Sequence, residues 1–338
     1  MAKIGSFADH RAPLLAGTVA SITGTAASLG IALSAFTGLG ASKSQTTSAV
    51  VASTLLFGLL SIVLSHRFKM PISVVWSTPG AALLISSGAL GFPFSTAVGA
   101  FMVSGLLLLL TGLWPALGRL VSSIPKPIAS AMLAGVIFNF CVASFKTVST
   151  FPLIVLPALL IWLVLYKLAT VWATPAAMFI VFSLTAINLG ITIPFDQLAP
   201  TLEIVVPTFD LAAILGIGIP LYLVTMASQN IPGIAIMKSF GYEVPFKQVM
   251  ISTGLGTLVN NFFGGIPLNL AAITAALNAN EHAHKNPARR WLASVWGGYV
   301  YFVIAALAGA AAVFVLQAPR DLILAAAGIA LIGTIVSA

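Results

Sequence analysis

The sequence predicts an all-α membrane protein that crosses the bilayer many times, and three observations carry that expectation. Hydrophobic residues make up 59% of the 338 and charged residues only 7%, against roughly 25% charged in a soluble domain. The apolar residues recur in blocks of about 18–25, the length that crosses roughly 30 Å of hydrocarbon. The loops between blocks are short, and the charges collect in them.

Taken in order, the blocks predict twelve spans: 13–38, 45–65, 71–90, 93–114, 125–144, 151–168, 171–192, 211–234, 246–262, 264–279, 290–316 and 321–338. The longest linker is 194–210, "PFDQLAPTLEIVVPTFD", with three of the seven acidic residues. A cytoplasmic N-terminus puts Lys3, Arg11, Arg67, Lys69, Arg119, Lys126, Lys167, Lys238, Lys247, Lys285, Arg289 and Arg290 inside. It leaves Lys43, Lys146 and Arg320 outside, a strong excess of positive charge on the inner side. Dropping the third or the tenth span reverses every later loop and destroys this bias, so both are expected to cross.

Those two spans are irregular in the same way. The third reads "PISVVWS" and then "TPGAALLISSGAL"; Ile72, Val74, Val75 and Trp76 favour an extended strand. Ser77 and Thr78 before Pro79 and Gly80 make a helix start, because a hydroxyl caps exposed amides and proline suits the first turn. The tenth, "GGIPLNLAAITAALN", repeats the plan, with Asn269 expected to begin its half-helix. About five extended residues plus about ten helical ones span ~31 Å, a full crossing. The third span is third of seven before the long linker and the tenth is third after it. Seven is odd, so the second set starts from the opposite side and the two sets form an inverted repeat. Two half-helix N-termini then face the midplane from opposite leaflets, the arrangement of a transporter binding site.

Each helix N-terminus acts as about half a positive charge. All seven acidic residues and all fifteen basic ones fall in loops or at span ends. A positive field without a fixed counter-ion suits a monoanion such as a carboxylate. The expected site is therefore Ser77, Thr78, Pro79 and Gly80 against Asn269, Leu270 and Ala271, with Gln229 and Asn230 of the eighth span, "PLYLVTMASQNIPG", along one wall. Thr23, Gly24, Thr25 and Ser28 of the first span are read as packing residues.

Other functions are excluded on composition. The net charge of +8 comes from basic residues in ones and twos, without the basic stripe that binds nucleic acid. Cys141 is the lone cysteine, and "EHAH" at 281–284 reads as a solvated inner loop, so neither a metal nor another cofactor is expected. No nucleophile, base and acid fall together within the membrane, so the chain is not read as an enzyme.

"WSTPGAALL", "PLYLVTMASQNIPG", "GGIPLNLAAITAALN" and the following "HAHKNPARRW" resemble the benzoate/proton symporter family (the BenE family) over most of the chain. The resemblance implies the seven-plus-seven inverted-repeat fold of nucleobase and sulfate-type transporters. In that fold, spans 1–4 and 8–11 form a core and spans 5–7 with 12–14 a gate. It also implies proton-coupled uptake of benzoate or a similar aromatic monocarboxylate across the inner membrane, with a homodimer as an expected assembly. Nucleobase carriers of this fold use carboxylates on the eighth and tenth spans, where this chain has Gln229, Asn230 and Asn269. The first repeat occupies 13–192, and a second of equal length from 211 would end near residue ~390. The last two spans are therefore expected to be missing, with 211–338 an incomplete repeat. Alternative readings are a carrier for another anion or a nucleobase, an anion channel, or a non-transporting truncated relic.

Overall fold

A computed structural model describes residues 7–114, 116–117, 138, 141–192 and 199–337. The expected fifth span, 125–144, lies largely outside the described residues, as do Asp196, Lys3, Arg119 and Lys126. The described chain is almost wholly helical. Helix α1 is Phe7–Gly38, α2 is Lys43–Phe68, α4 is Phe94–Leu113, α5 is Pro152–Leu168 and α6 is Thr170–Leu189. Helix α7 runs without interruption over Leu211–Ser239, and α8 is Phe246–Asn261. After the tenth segment come α10 (Trp291–Ala306), α11 (Ala308–Gln317) and α12 (Arg320–Ser337).

Local chemistry sets the ends. Ser42 and Gln45 form a capping box at the start of α2, each side chain satisfying the other's backbone amide. At the far end Lys69 adopts a left-handed conformation (φ 54°) that stops the helix. Its Nζ then lies 3.9 Å from the ring centre of Trp291, a cation–π contact that offsets the conformational cost. Asp210 caps α7, its carboxylate accepting from the Ala213 amide at 2.9 Å.

Among the described residues five helices are long and apolar enough to cross a membrane, and α10 with α11 make a sixth if that pair is one span. The sequence reads 290–316 as one straight span; the structure bends it by 56° at Leu307. The bend falls where Ala305–Ala312 carries mostly methyl-sized side chains, and Leu307 itself leaves helical geometry (φ −96°, ψ 0°).

The third and tenth segments are broken. Strand β1 (Val74–Trp76) leads through Ser77 into α3 (Thr78–Ser87), and β2 (Leu268–Leu270) leads through Ala271 into α9 (Ala272–Ala279). The strands pair antiparallel, Val74 with Leu270, Val75 with Asn269 and Trp76 with Leu268. The expected extended stretches are thus real, and each is the other's hydrogen-bonding partner.

Two apolar clusters hold the bundle. The larger joins α1–α4 to α7–α11, with Phe36, Phe101, Leu108, Trp76, Ile217 and Tyr301 among its largest buried side chains. The smaller joins α5, α6 and α12 through Ile154, Val155, Trp162, Met178, Leu322 and Ile329. Helix α1 touches both, because Ala26 and Ala27 pack on the second cluster while Ile31 and Phe36 belong to the first. Within the first cluster α2 lies along α10, and α8 along α4. Glycine makes that closeness possible. A Cβ on Gly58 would stand 2.6 Å from the Gly298 carbonyl oxygen, and one on Gly254 would stand 2.5 Å from the Leu109 amide nitrogen.

Gly58→Leu should therefore destabilise the protein by about 1–3 kcal/mol or more, since neither backbone can retreat without disturbing the packed pair. The check is the midpoint of thermal unfolding in detergent. Leu59→Ala, at the exposed neighbouring position, should leave that midpoint nearly unchanged.

Candidate functional site

The crossing of β1 and β2 places peptide groups inside a helical bundle, where an unpaired amide or carbonyl costs several kcal/mol. Each of the two segments is bracketed by polar side chains from the helix before it. On α2, Ser61 Oγ accepts from the Val74 amide at 2.9 Å and Ser65 Oγ donates to the Ile72 carbonyl at 2.7 Å. On α8, Thr257 Oγ1 accepts from the Leu268 amide at 2.9 Å. Asn260 and Asn261 donate to the carbonyls of Ile266 (2.9 Å) and Gly265 (2.7 Å). Asn260 is itself held by Ser53 of α2, at 3.0 Å. The ladder continues past the strands, with the Ser77 amide on the Pro267 carbonyl and the Ala271 amide on the Ser73 carbonyl.

The two half-helices begin differently. Ser77 is the cap of α3, and its Oγ accepts from the Gly80 amide at 3.1 Å. Thr78 and Pro79 form the first turn, as read from the sequence. Asn269 does not begin α9. It stays in β2, and the helix starts at Ala272 with Ala271 as a cap that has no side-chain acceptor. The reason is the strand pairing, which holds residues 268–270 extended.

The backbone amides at the crossing divide into bonded and open ones. The Leu270 amide donates to Asn230 Oδ1 at 2.9 Å, and the Ala271 amide to the Ser73 carbonyl at 2.9 Å. Both are therefore committed to the protein. The amides open at this end are those of Ala272, Ile273 and Thr274, the first turn of α9, which no side chain caps. On α3, the Thr78 amide holds the equivalent place, while Pro79 has no N–H and Gly80 is taken by Ser77.

Gln229 and Asn230 sit in a π-helical turn, Met226–Asn230, inside α7; a second such turn covers Ile214–Gly218. Such turns widen the helix, free backbone groups and recur at functional sites. The turn splits the two amides. Asn230 is fully buried and bonded to Leu270 and Met226. Gln229 is half-buried and makes no hydrogen bond among the described residues. Asn230 thus ties α7 to β2, whereas the Gln229 side chain has no partner among the described residues. Ser77, Pro79, Gly80, Asn269, Leu270 and Ala271 are buried, and Thr78 and Ala272 are partly open.

Several residues at the crossing were not among the site residues expected from the sequence. Trp76 Nε1 donates to Ser28 Oγ at 2.9 Å, joining β1 to α1. Phe57 stacks edge-on against both Trp76 and Tyr301, at 5.2 and 5.4 Å. Arg290 donates to the Ala279 carbonyl at 2.7 Å, setting a cation at the C-terminal end of α9, where the helix dipole favours one. Serine, threonine and asparagine recurring along α2 and α8 were the available signal. Their partners, far away in sequence, were not visible. Among the described residues no group of three or more His, Cys, Asp or Glu side chains stands together.

The chain matches the family model described as benzoate membrane transport protein over residues 8–338. It is 36% identical to the inner membrane protein YdcO of Escherichia coli K12, across 95% of this chain and 82% of that one. It is 32% identical to the benzoate membrane transport protein of Acinetobacter baylyi, across 82% and 70% respectively. Among solved structures, the transmembrane domain of the cyanobacterial bicarbonate transporter BicA aligns with a TM-score of 0.64 at 15% identity. That alignment covers 98% of this chain and 90% of that domain, so the two share an all-helical polytopic transporter fold. The family is one of membrane transporters and not of enzymes. On the match across nearly its whole length, the chain belongs to the benzoate membrane transport protein (BenE) family.

Proposed function

We propose that the protein is a secondary active transporter that takes up benzoate or a similar aromatic monocarboxylate together with a proton. The observation that carries this reading is the pair of short helices whose first turns flank the β1–β2 crossing, one capped and one not. Two dipole ends draw the oxygens of a carboxyl group to the crossing without a formal cation, so release requires no strong ion pair to be broken. The carboxyl group is placed between Thr78 and the first turn of α9, with Gln229 beside it and the ring on apolar surface of α1 and α7.

The seven-plus-seven inverted repeat belongs to the same proposal. Ser77 stands to Pro267 as Ala271 stands to Ser73, and Val74 with Ser61 mirrors Leu268 with Thr257. The packing of α2 on α10 mirrors that of α8 on α4. The larger apolar cluster is taken as the core, spans 1–4 and 8–11. The smaller, from α5, α6 and α12, is taken as the gate that the core moves against. The membrane is the cytoplasmic one, and the N-terminus faces the cytoplasm on the strength of the basic inner loops.

Three measurements test this reading. Labelled benzoate should show counterflow in proteoliposomes and accumulate under an inward proton gradient; a channel gives no exchange acceleration, and uracil or sulfate taken up in its place would reassign the substrate. Gln229→Ala should weaken benzoate binding roughly two- to tenfold, the usual cost of losing one hydrogen bond to a carboxyl group. Ser149→Ala, on an exposed turn, should change nothing.

A Cβ on Gly80 would meet Leu221 at 2.7 Å and Ser77 Oγ at 2.8 Å. Gly80→Ala should accordingly displace the cap and reduce uptake while the protein still reaches the membrane, read as transport per molecule of folded carrier. Sidedness is checked in a Cys141→Ala background with cysteine at exposed Thr201 or Lys285. An impermeant reagent on intact cells should label the first and spare the second.

A further inference from the structure

The crossing contains a buried acceptor with nothing to accept from. Asn269 is fully buried, its Nδ2 donates to the Leu270 carbonyl at 3.0 Å, and its Oδ1 has no partner. The carbonyl at Leu270 fixes which end of the amide is oxygen, because a flip would set two acceptors face to face. Directly paired residues of an antiparallel ladder put their side chains on the same face. Asn269 therefore shares a face with Val75, the one residue of the two strands that is not buried. The opposite face, with Val74, Trp76, Leu268 and Leu270, is closed. The orphan oxygen thus lies on the face it shares with the partly buried Val75, three residues before the uncapped first turn of α9.

A carboxylate accepts hydrogen bonds and has none to give, so it leaves Asn269 Oδ1 unsatisfied. A carboxylic acid has one O–H donor and one carbonyl acceptor. We propose that this site takes its ligand as the neutral acid. The carboxyl O–H donates to Asn269 Oδ1, and the carbonyl oxygen accepts from the amides of Ala272–Thr274. This rests on the proposed transport of an aromatic monocarboxylate and names the form in which it crosses. The proton joins the carboxylate from the outer water and leaves to the inner water, so charge balances with no side chain titrating. Among the elements packed on β2, β1 and the π turn of α7 carry no titratable side chain, and α8 has only Lys247, in its first turn. Tyr301 of α10 faces Gly24, Ser21 and Thr274.

The test uses the native protein in proteoliposomes and three probes: benzoate, benzamide and benzenesulfonate. Benzamide has the donor and acceptor of benzoic acid without charge; benzenesulfonate is a permanent anion that only accepts. Benzamide should compete with labelled benzoate, independently of pH, and benzenesulfonate should not. Apparent benzoate affinity should fall about tenfold per pH unit between about pH 5.5 and pH 7.5, following the acid fraction. Asn269→Ala should remove the preference for benzamide over benzenesulfonate. Competition by benzenesulfonate together with a pH-independent benzoate affinity overturns the proposal, whether or not the variant folds. Absence of any benzoate counterflow overturns the transport reading instead.

Discussion

The antiparallel pairing of two three-residue strands inside a helical bundle is the contact on which the rest of the structure depends. A helix satisfies its own backbone; these segments do not, and hydrocarbon offers no water to replace the missing partners. The pairing supplies part of what is missing and hydroxyl and amide side chains supply the rest, with Ser61 and Ser65 serving β1 and Thr257, Asn260 and Asn261 serving β2. This explains why α2 and α8 carry polar residues on buried faces, and why glycines let α10 and α4 come close to them.

The polar groups at the crossing divide into those bonded within the protein and those without a partner among the described residues. Asn230 looks in sequence like a substrate residue, yet both ends of its amide are engaged and its contact with Leu270 docks α7 on β2. Gln229, its neighbour in the same π turn, points to another side of the helix, and its side chain has no partner among the described residues. Among the described residues the uncapped start of α9 and the Asn269 side-chain oxygen also lack partners. On the proposed reading, these few groups hold the ligand, and the field comes from backbone dipoles rather than side-chain charge.

Helix α1 connects this site to the second apolar cluster. Through Ser28 it receives Trp76 of β1, and through Ala26 and Ala27 it rests on the cluster of α5, α6 and α12. A movement of one cluster against the other, as the proposed transport cycle requires, would pass along α1 and change access to the crossing.

The sequence by itself determined the class of protein, most helix positions and the two broken segments, because these follow from hydrophobic length and from local rules. "VVWSTPG" announces a strand, a cap and a helix within seven residues, and Ser77 does cap α3. It did not determine where α9 begins, since Asn269 is held in a strand by Val75, a partner nearly two hundred residues away. Nor did it tell Gln229 from Asn230, because a π turn and a contact with Leu270 decide which of them is engaged. The bend at Leu307 was equally hidden, as an Ala-rich run reads as continuous helix until packing turns it. Short-range chemistry is written in neighbouring residues, whereas the satisfaction of a buried amide depends on whatever the fold brings beside it.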